Sequence, residues 1–350
     1  MRSPNPQPGT RKANPEPGIR NTNSEAGSRN LERSSRPLLK WAGGKRQLLP
    51  IIRQFYLRDF STYVEPFLGS GAVFFDLAAE GLLTGRRVRL ADANPDLVGC
   101  YTMLRDRTEP VIAALATLAA GHRASGDTFF YEVRDRRFNP ARAAAPGVYT
   151  PELAAMFIYL NRTGFNGLFR LNRSGAFNVP AGRYTNPRIC DAVHLRQVAA
   201  ALGAPGVTID VISFEDVLAR AGKGTFVYCD PPYAPLSRTA CFSSYTAGGF
   251  GASDHERLRD AIVAAASRGA AVVVSNSSAP LIERLYTSEA AQRARLVVRR
   301  VPARRAINSR ATSRGAVDEL IITNVAPRAA LEVTPRMARA GLRAAARRAG

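Results

Sequence analysis

Between about residues 38 and 325, short apolar runs alternate with longer stretches of helical periodicity. The runs Thr62-Tyr63-Val64-Glu65, Val88-Arg89-Leu90-Ala91-Asp92, 207–212, Thr225-Phe226-Val227-Tyr228-Cys229, 271–275 and Glu319-Leu320-Ile321-Ile322-Thr323 have the length and side chains of buried strands. Helices are expected over 47–58, 72–80, from Pro95 onward, and over 109–120, 152–160, 191–202, 215–221 and 253–267. Residues 105–150 otherwise look mixed. Strands alternating with helices predict an α/β sheet with mainly parallel pairing.

Polar stretches break this rhythm in three places. Residues 1–36 are rich in Pro, Asn, Ser, Gly and Arg, and have too few large apolar side chains to order themselves. Residues 161–188 carry glycines and five arginines, Arg162, Arg170, Arg173, Arg183 and Arg188, among aromatic side chains. They predict a loop-rich hairpin inserted into the α/β body. The Ala/Arg-rich residues 335–350 predict either a basic amphipathic helix on DNA or a membrane surface, or a frayed, solvated tail. The expected organisation is a tail (1–36), one α/β unit in two pieces (37–104 and 190–326), an insert (105–189) and a second basic tail (327–350).

Charge narrows the partner. The formal net charge is +21, from 49 Lys+Arg against 28 Asp+Glu. The two ends contribute +4 and +5, so the middle keeps +12. A basic folded body points to a polyanion, most simply nucleic acid. The four cysteines (100, 190, 229, 241) and three histidines (122, 194, 255) have no metal-ligand spacing. No metal, membrane span or apolar signal core is expected, and a reducing cytoplasm is.

Candidate chemistry sits at the strand ends. Phe67-Leu68-Gly69-Ser70-Gly71 follows a strand and opens a helix, where glycines let backbone approach a ligand. Asp92 ends the next strand, where a doubly wound fold places the carboxylate that holds ribose hydroxyls. The dinucleotide fingerprint is incomplete, which argues against a nicotinamide. Asp230-Pro231-Pro232-Tyr233 ends another strand; two prolines stop it and fix a rigid corner bearing a carboxylate, carbonyls and an aromatic face. Such a corner suits an exocyclic amine on a flat base. Trp41, the only tryptophan, stands between Lys40 and Lys45 next to two glycines. It is either a core anchor or the wall of a cofactor pocket with Lys45 facing a carboxylate. Arg304, Arg305, Arg310 and Arg314 mark a second basic segment, either a phosphate-contacting loop or a plain solvated one.

Six motifs occur in one order: Lys-Trp-Ala-Gly-Gly-Lys (40–45), Glu-Pro-Phe-x-Gly-x-Gly (65–71), Ala-Asp-x-Asn-x-x-Leu (91–97), Tyr-Leu-Asn-Arg-x-Gly-Phe-Asn-Gly-Leu-x-Arg (159–170), Phe-Asn-Val-Pro-x-Gly-Arg-Tyr (177–184) and Asp-Pro-Pro-Tyr (230–233). Together they closely resemble the Dam-type DNA adenine N6-methyltransferases, over about 38–325. The resemblance implies a Rossmann-like methyltransferase sheet with a smaller helical and hairpin target-recognition domain. It implies S-adenosylmethionine as methyl donor and duplex DNA, usually GATC, as substrate. It also implies a bacterial or phage-encoded, nucleoid-associated enzyme, a monomer or weak dimer. By motif position, Trp41, Lys45 and Asp92 would hold the cofactor, with Phe67, Gly69 and Gly71 against its methionine half. Phe214 would pack on its adenine. Asp230 would serve both cofactor and catalysis, with Pro231, Pro232 and Tyr233. Lys40, Leu168, Arg170 and Pro180 would read base edges. Phe165 and Asn166 would enter the stack, and Tyr184 would contact DNA.

One departure stands out. After strand 271–275 the family often has Ser-Asn-His-Asp, and here the run is Ser275-Asn276-Ser277-Ser278. Two other activities share parts of this pattern. Cytosine N4 methylation poses the same chemical problem, though Asp rather than Ser at the first motif position favours adenine. A DNA-binding protein without catalysis would keep the insert and lose the strand-end motifs. Cytosine C5 chemistry needs a cysteine after a proline, and no Pro-Cys pair occurs.

Overall fold

The computed structural model describes residues 36–41, 45–235, 249–304 and 316–328. Residues 1–35 and 329–350, Gly43 and Gly44, Cys241, and Arg305, Arg310 and Arg314 therefore lie outside the described residues. So does the side chain of Arg304.

Seven strands form one sheet: β1 (Thr62–Glu65), β2 (Arg87–Asp92), β3 (Val207–Val211), β4 (Thr225–Cys229), β5 (Ala271–Ser277), β6 (Val297–Arg304) and β7 (Ala316–Thr323). Their order is β3-β2-β1-β4-β5-β7-β6. β3, β2, β1, β4 and β5 pair in parallel, and β7 runs antiparallel between β5 and β6. β4 is buried along its whole length, as a central parallel strand covered on both faces must be. Tyr63, Leu90, Phe226 and Tyr228 pack on one face, and Val64, Ala91, Val227 and Cys229 on the other. The result is a three-layer α/β sandwich, a Rossmann-like sheet. Strand order reverses where β1 meets both β2 and β4, and ligands settle at the carboxyl ends of such a switch point.

Eleven α-helices occur among the described residues: α1 (Leu49–Ile52), α2 (Ala72–Ala79), α3 (Pro95–Asp106), α4 (Thr108–Glu132), α5 (Asn139–Ala144), α6 (Pro151–Thr163), α7 (Ala192–Leu202), α8 (Phe214–Ala219), α9 (Ala252–Ser267), α10 (Pro280–Tyr286) and α11 (Glu289–Arg293). Local chemistry sets several starts. Asn94 accepts from the amides of Asp96 and Leu97, Thr150 from Leu153, and Ser213 from Asp216, with Pro95 and Pro151 at first helical positions.

Three expectations change. The helix over 47–58 is broken into a 3-10 turn, the single turn α1 and a second 3-10 turn (Arg53–Phe55). Arg53 and Tyr56 both turn onto the buried Asp76 carboxylate. The mixed stretch 105–150 is mostly helical: α4 continues past 120, kinks at Gly126, and runs through a π-helical segment (Val133–Phe138) into α5. β6 was not expected at all.

The insert between α6 and α7 is a loop-rich hairpin. It carries a 3-10 turn (Phe165–Gly167) and two antiparallel bridges, Gly164 with Ala181 and Leu171 with Phe177. Phe169, Phe177 and Val179 sink into the same core as α6. Asn139 pins it from outside, accepting from the Phe177 amide and donating to the Phe177 carbonyl.

Candidate functional site

β1, β2 and β4 end side by side, and each ends near a carboxylate: Glu65, Asp92 and Asp230. Between them runs the glycine loop. Gly69 and Gly71 both take positive φ, +47° and +66°, where a side chain would be strained. The Gly69 amide donates to Asp92 Oδ2 at 3.0 Å and the Asn94 amide to Oδ1 at 2.9 Å. Tyr101 holds the Gly69 carbonyl from below. Burial nevertheless pushes the Asp92 carboxyl up to about 6, against those amide bonds.

Trp41 walls the loop. A Cβ on Gly69 would stand 3.1 Å from Trp41 Cδ1, and the indole stacks on Phe169 at 6.1 Å. Trp41 is thus both half-buried anchor and pocket wall, linking the glycine loop to the hairpin core. Phe67 stacks on Phe214 at 5.4 Å, and Phe250 closes an aromatic trio against both.

At the Pro-Pro corner, Lys45 Nζ lies 2.7 Å from Asp230 Oδ1 and 4.3 Å from the Tyr233 ring centre. The carboxylate that Lys45 faces here is Asp230. Ser275 Oγ donates to the same Oδ1 at 3.0 Å and meets the Tyr228 hydroxyl behind it. Burial raises the Asp230 carboxyl; Lys45 and Ser275 oppose the rise and Glu319 adds to it. Just beyond, Ala234 N donates to Asn276 Oδ1 and Ser277 Oγ donates to Ala234 O. The Ser275-Asn276-Ser277 run therefore grips the corner at three points. The Tyr233 hydroxyl donates to Glu319 of β7.

Glu65 is 2% exposed, accepts from Tyr63 Oη at 2.7 Å, and burial lifts its carboxyl to about 8. Among the described residues no cluster could hold a metal ion, and no helix is long and apolar enough to cross a membrane.

A second surface adjoins this pocket. Asn161, buried at the end of α6, accepts from Lys40 N and donates to the carbonyls of Lys40 and Gly167. Lys40 Nζ reaches the Arg162 carbonyl and lies 3.8 Å from the Tyr184 ring centre. Gly167 admits this approach, since a Cβ there would come within 2.2 Å of Lys40 Cβ. Phe165 is 46% exposed at the base of the hairpin, beside Asn166 in the left-handed region. The Phe165 amide donates to Pro180 O. Leu168 is half-buried, and Arg170 is exposed and tethered to Asn178 Oδ1 at 2.8 Å. Arg162 is different: it is buried, and its guanidinium donates to the carbonyls of Arg188 and Leu38. It ties the hairpin to the amino-terminal segment and does not face solvent with the other arginines.

Sequence reasoning gave no role to Ser275, Glu319, Tyr228, Phe250, Glu65 or Asn161. The readable signals were a carboxylate opening a buried strand (Glu319), one closing another (Glu65), and an Asn ending an apolar helix (Asn161).

Glycine backbone, a pinned Asp92 and aromatic walls surround an acidic floor. The sequence profile of the D12 class N6 adenine-specific DNA methyltransferases matches residues 41–300. Type II methyltransferase M1.LlaDCHI of Lactococcus lactis subsp. cremoris is 37% identical over 289 residues, covering 83% of this chain and 95% of that protein. Type II methyltransferase M.MjaIII of Methanocaldococcus jannaschii is 35% identical over 300 residues, 83% of this chain and 99% of that protein. DNA adenine methylase of Escherichia coli K12 is 36% identical over 289 residues, with 83% and 95% covered. The chain belongs to the D12 class of N6 adenine-specific DNA methyltransferases.

Proposed function

We propose that this enzyme methylates the N6 amine of adenine in duplex DNA, within GATC, using S-adenosylmethionine and a base rotated out of the helix. The observation that carries this reading is the Asp230 carboxylate. Lys45 and Ser275 both meet it at Oδ1.

The adenine amine is a poor nucleophile because its lone pair is delocalised into the ring. Asp230 Oδ2 and the Pro231 carbonyl would each accept one N–H. That favours a pyramidal nitrogen with its lone pair turned toward the methyl group. Pro232 keeps the corner rigid, and Tyr233 would stack on the base. The help is positioning plus electrostatics. As N6 gains the methyl group it becomes cationic, and Asp230 stands where it can take the surplus proton. S-adenosylmethionine supplies an electrophilic methyl on a sulfonium. Asp92 would hold its ribose hydroxyls, Phe67, Gly69, Gly71 and Trp41 its methionine side, and Phe214 its adenine.

A base inside a duplex cannot reach such a pocket, and rotating it out costs a few kcal/mol. The exposed Phe165 at the base of the hairpin would fill the gap. Residues 105–189 would form the recognition unit, with Lys40, Leu168, Arg170 and Pro180 at base edges and Asn166 and Tyr184 beside them.

Methylation sequencing of DNA from a methylation-deficient bacterial host expressing this chain tests the reading. N6-methyladenine confined to GATC is expected. Another adenine sequence would overturn the GATC assignment, and N4-methylcytosine would overturn adenine.

A further inference from the structure

We propose that Glu319 is a positioning residue for methyl transfer: through the Tyr233 hydroxyl it sets the tilt of the aromatic ring on which the target base stacks. This rests on the proposed function above.

Tyr233 leaves the Pro-Pro corner on a backbone that is clamped just downstream. Asn276 and Ser277 hold both polar atoms of the Ala234 peptide group. Those bonds fix where the ring starts and leave its rotation free. Two contacts restrict the rotation. Lys45 Nζ lies over one ring face, 4.3 Å from its centre, and Glu319 takes the hydroxyl at the far end. Lys45 is already drawn to Asp230, so it weights the ring toward that carboxylate. Glu319 is the contact that stops the ring from following. The face away from Lys45 is then presented at one angle.

Topology explains why the anchor comes from β7. In a parallel strand, only late residues reach the carboxyl edge of the sheet. β7 runs the other way, so its early residues arrive there. Glu319 pairs in register with Ser277, at the end of β5. The hydrogen bond to Glu319 also draws the phenol proton outward and drives electron density into the ring, and an electron-rich face stabilises the positive charge that N6 acquires.

The test is single-turnover methylation of a duplex bearing the target adenine, at saturating enzyme and cofactor. Wild type is compared with Glu319→Ala, Glu319→Gln, Tyr233→Phe and the Glu319→Ala/Tyr233→Phe double variant. Each of Glu319→Ala and Tyr233→Phe is expected to slow transfer by about tenfold to a hundredfold. The double variant should be no slower than the slower single. Glu319→Gln, which keeps an acceptor oxygen, should recover part of the rate, and cofactor affinity should stay at the wild-type value throughout. Multiplying losses in the double variant, or a wild-type rate in Glu319→Ala, would overturn the proposal. Should Glu319→Ala fail to fold, a wild-type rate in Tyr233→Phe overturns it alone. Transfer to cytosine by the wild type would sink the adenine reading, while the ratios among variants would still judge Glu319.

Discussion

Asp230 has to remain ionised where burial opposes ionisation, and the side chains around it divide that task. Lys45 and Ser275 hold one oxygen and favour the charged form. Asp230→Ala is therefore expected to cut single-turnover methylation by at least about a thousandfold, since preorganised electrostatics supplies most of the acceleration. Duplex affinity, measured by fluorescence anisotropy, should stay within about threefold, because phosphate contacts dominate it. Glu65 predicts a pH effect of definite sign. Its carboxyl rises from an ordinary 4.5 to about 8 on folding, and Asp92 from 3.8 to about 6. Between those values the folded protein binds protons that the unfolded chain has released. Stability from these groups is thus complete below about 4 and is lost as pH rises through 8. Melting temperature should fall between pH 6 and 8, and Glu65→Gln, neutral at every pH, should flatten the fall. A slope that Glu65→Gln leaves unchanged would place the titration elsewhere.

At the scale of elements, the site is where two features of one core meet: strand ends on one side, hairpin and α6 on the other. Asn161 joins them with three hydrogen bonds to backbone on both sides. Asn161→Leu strands those backbone groups, and unpaired buried groups cost about 1–3 kcal/mol each. Denaturant unfolding should show a loss of about 2–4 kcal/mol after relaxation. KM for DNA should rise while cofactor affinity holds, because Lys40 and Gly167 lose their register and the glycine loop does not. Unequal legibility of the elements has the same physical root. β1, β4 and β5 were readable because central strands demand apolar residues on both faces. β6 was not, because Val-Val-Arg-Arg-Val-Pro mixes charge with a proline, which a strand tolerates only at an edge, where β6 lies. The Pro-Pro corner, the glycine loop and Asp92 were readable because their backbone geometry or strand-end place demands those residue types. Ser275 and Glu319 were not, because they acquire roles only when β5 pairs with β7 and both reach the corner.

For the whole molecule the deciding quantity is charge and where the fold exposes it. The chain carries +21, and its middle keeps +12 without the tails, so attraction to DNA belongs to the folded body as well. Arg170, Arg173, Arg183 and Arg188 are exposed along the hairpin, whereas Arg162 is spent inside. Counterion release makes such binding steeply salt-dependent: with about six phosphate contacts, affinity should drop by roughly a thousandfold between 50 and 200 mM salt. The two kinds of arginine should then separate. Arg173, in the hairpin turn, has no reason to distinguish sequences, so Arg173→Ala should weaken GATC and unrelated duplexes alike and reduce the salt slope by about one. Arg170 is held by Asn178 in a fixed pose at the hairpin surface, as a base-reading fork requires. Arg170→Ala should cost about 1–3 kcal/mol on the target duplex, far less on unrelated DNA, and leave the salt slope nearly unchanged. Salt titrations of both variants on both duplexes measure all of this. A uniform loss from Arg170→Ala would reassign it to phosphate, and the reading of guanine would have to pass to another side chain on the same hairpin.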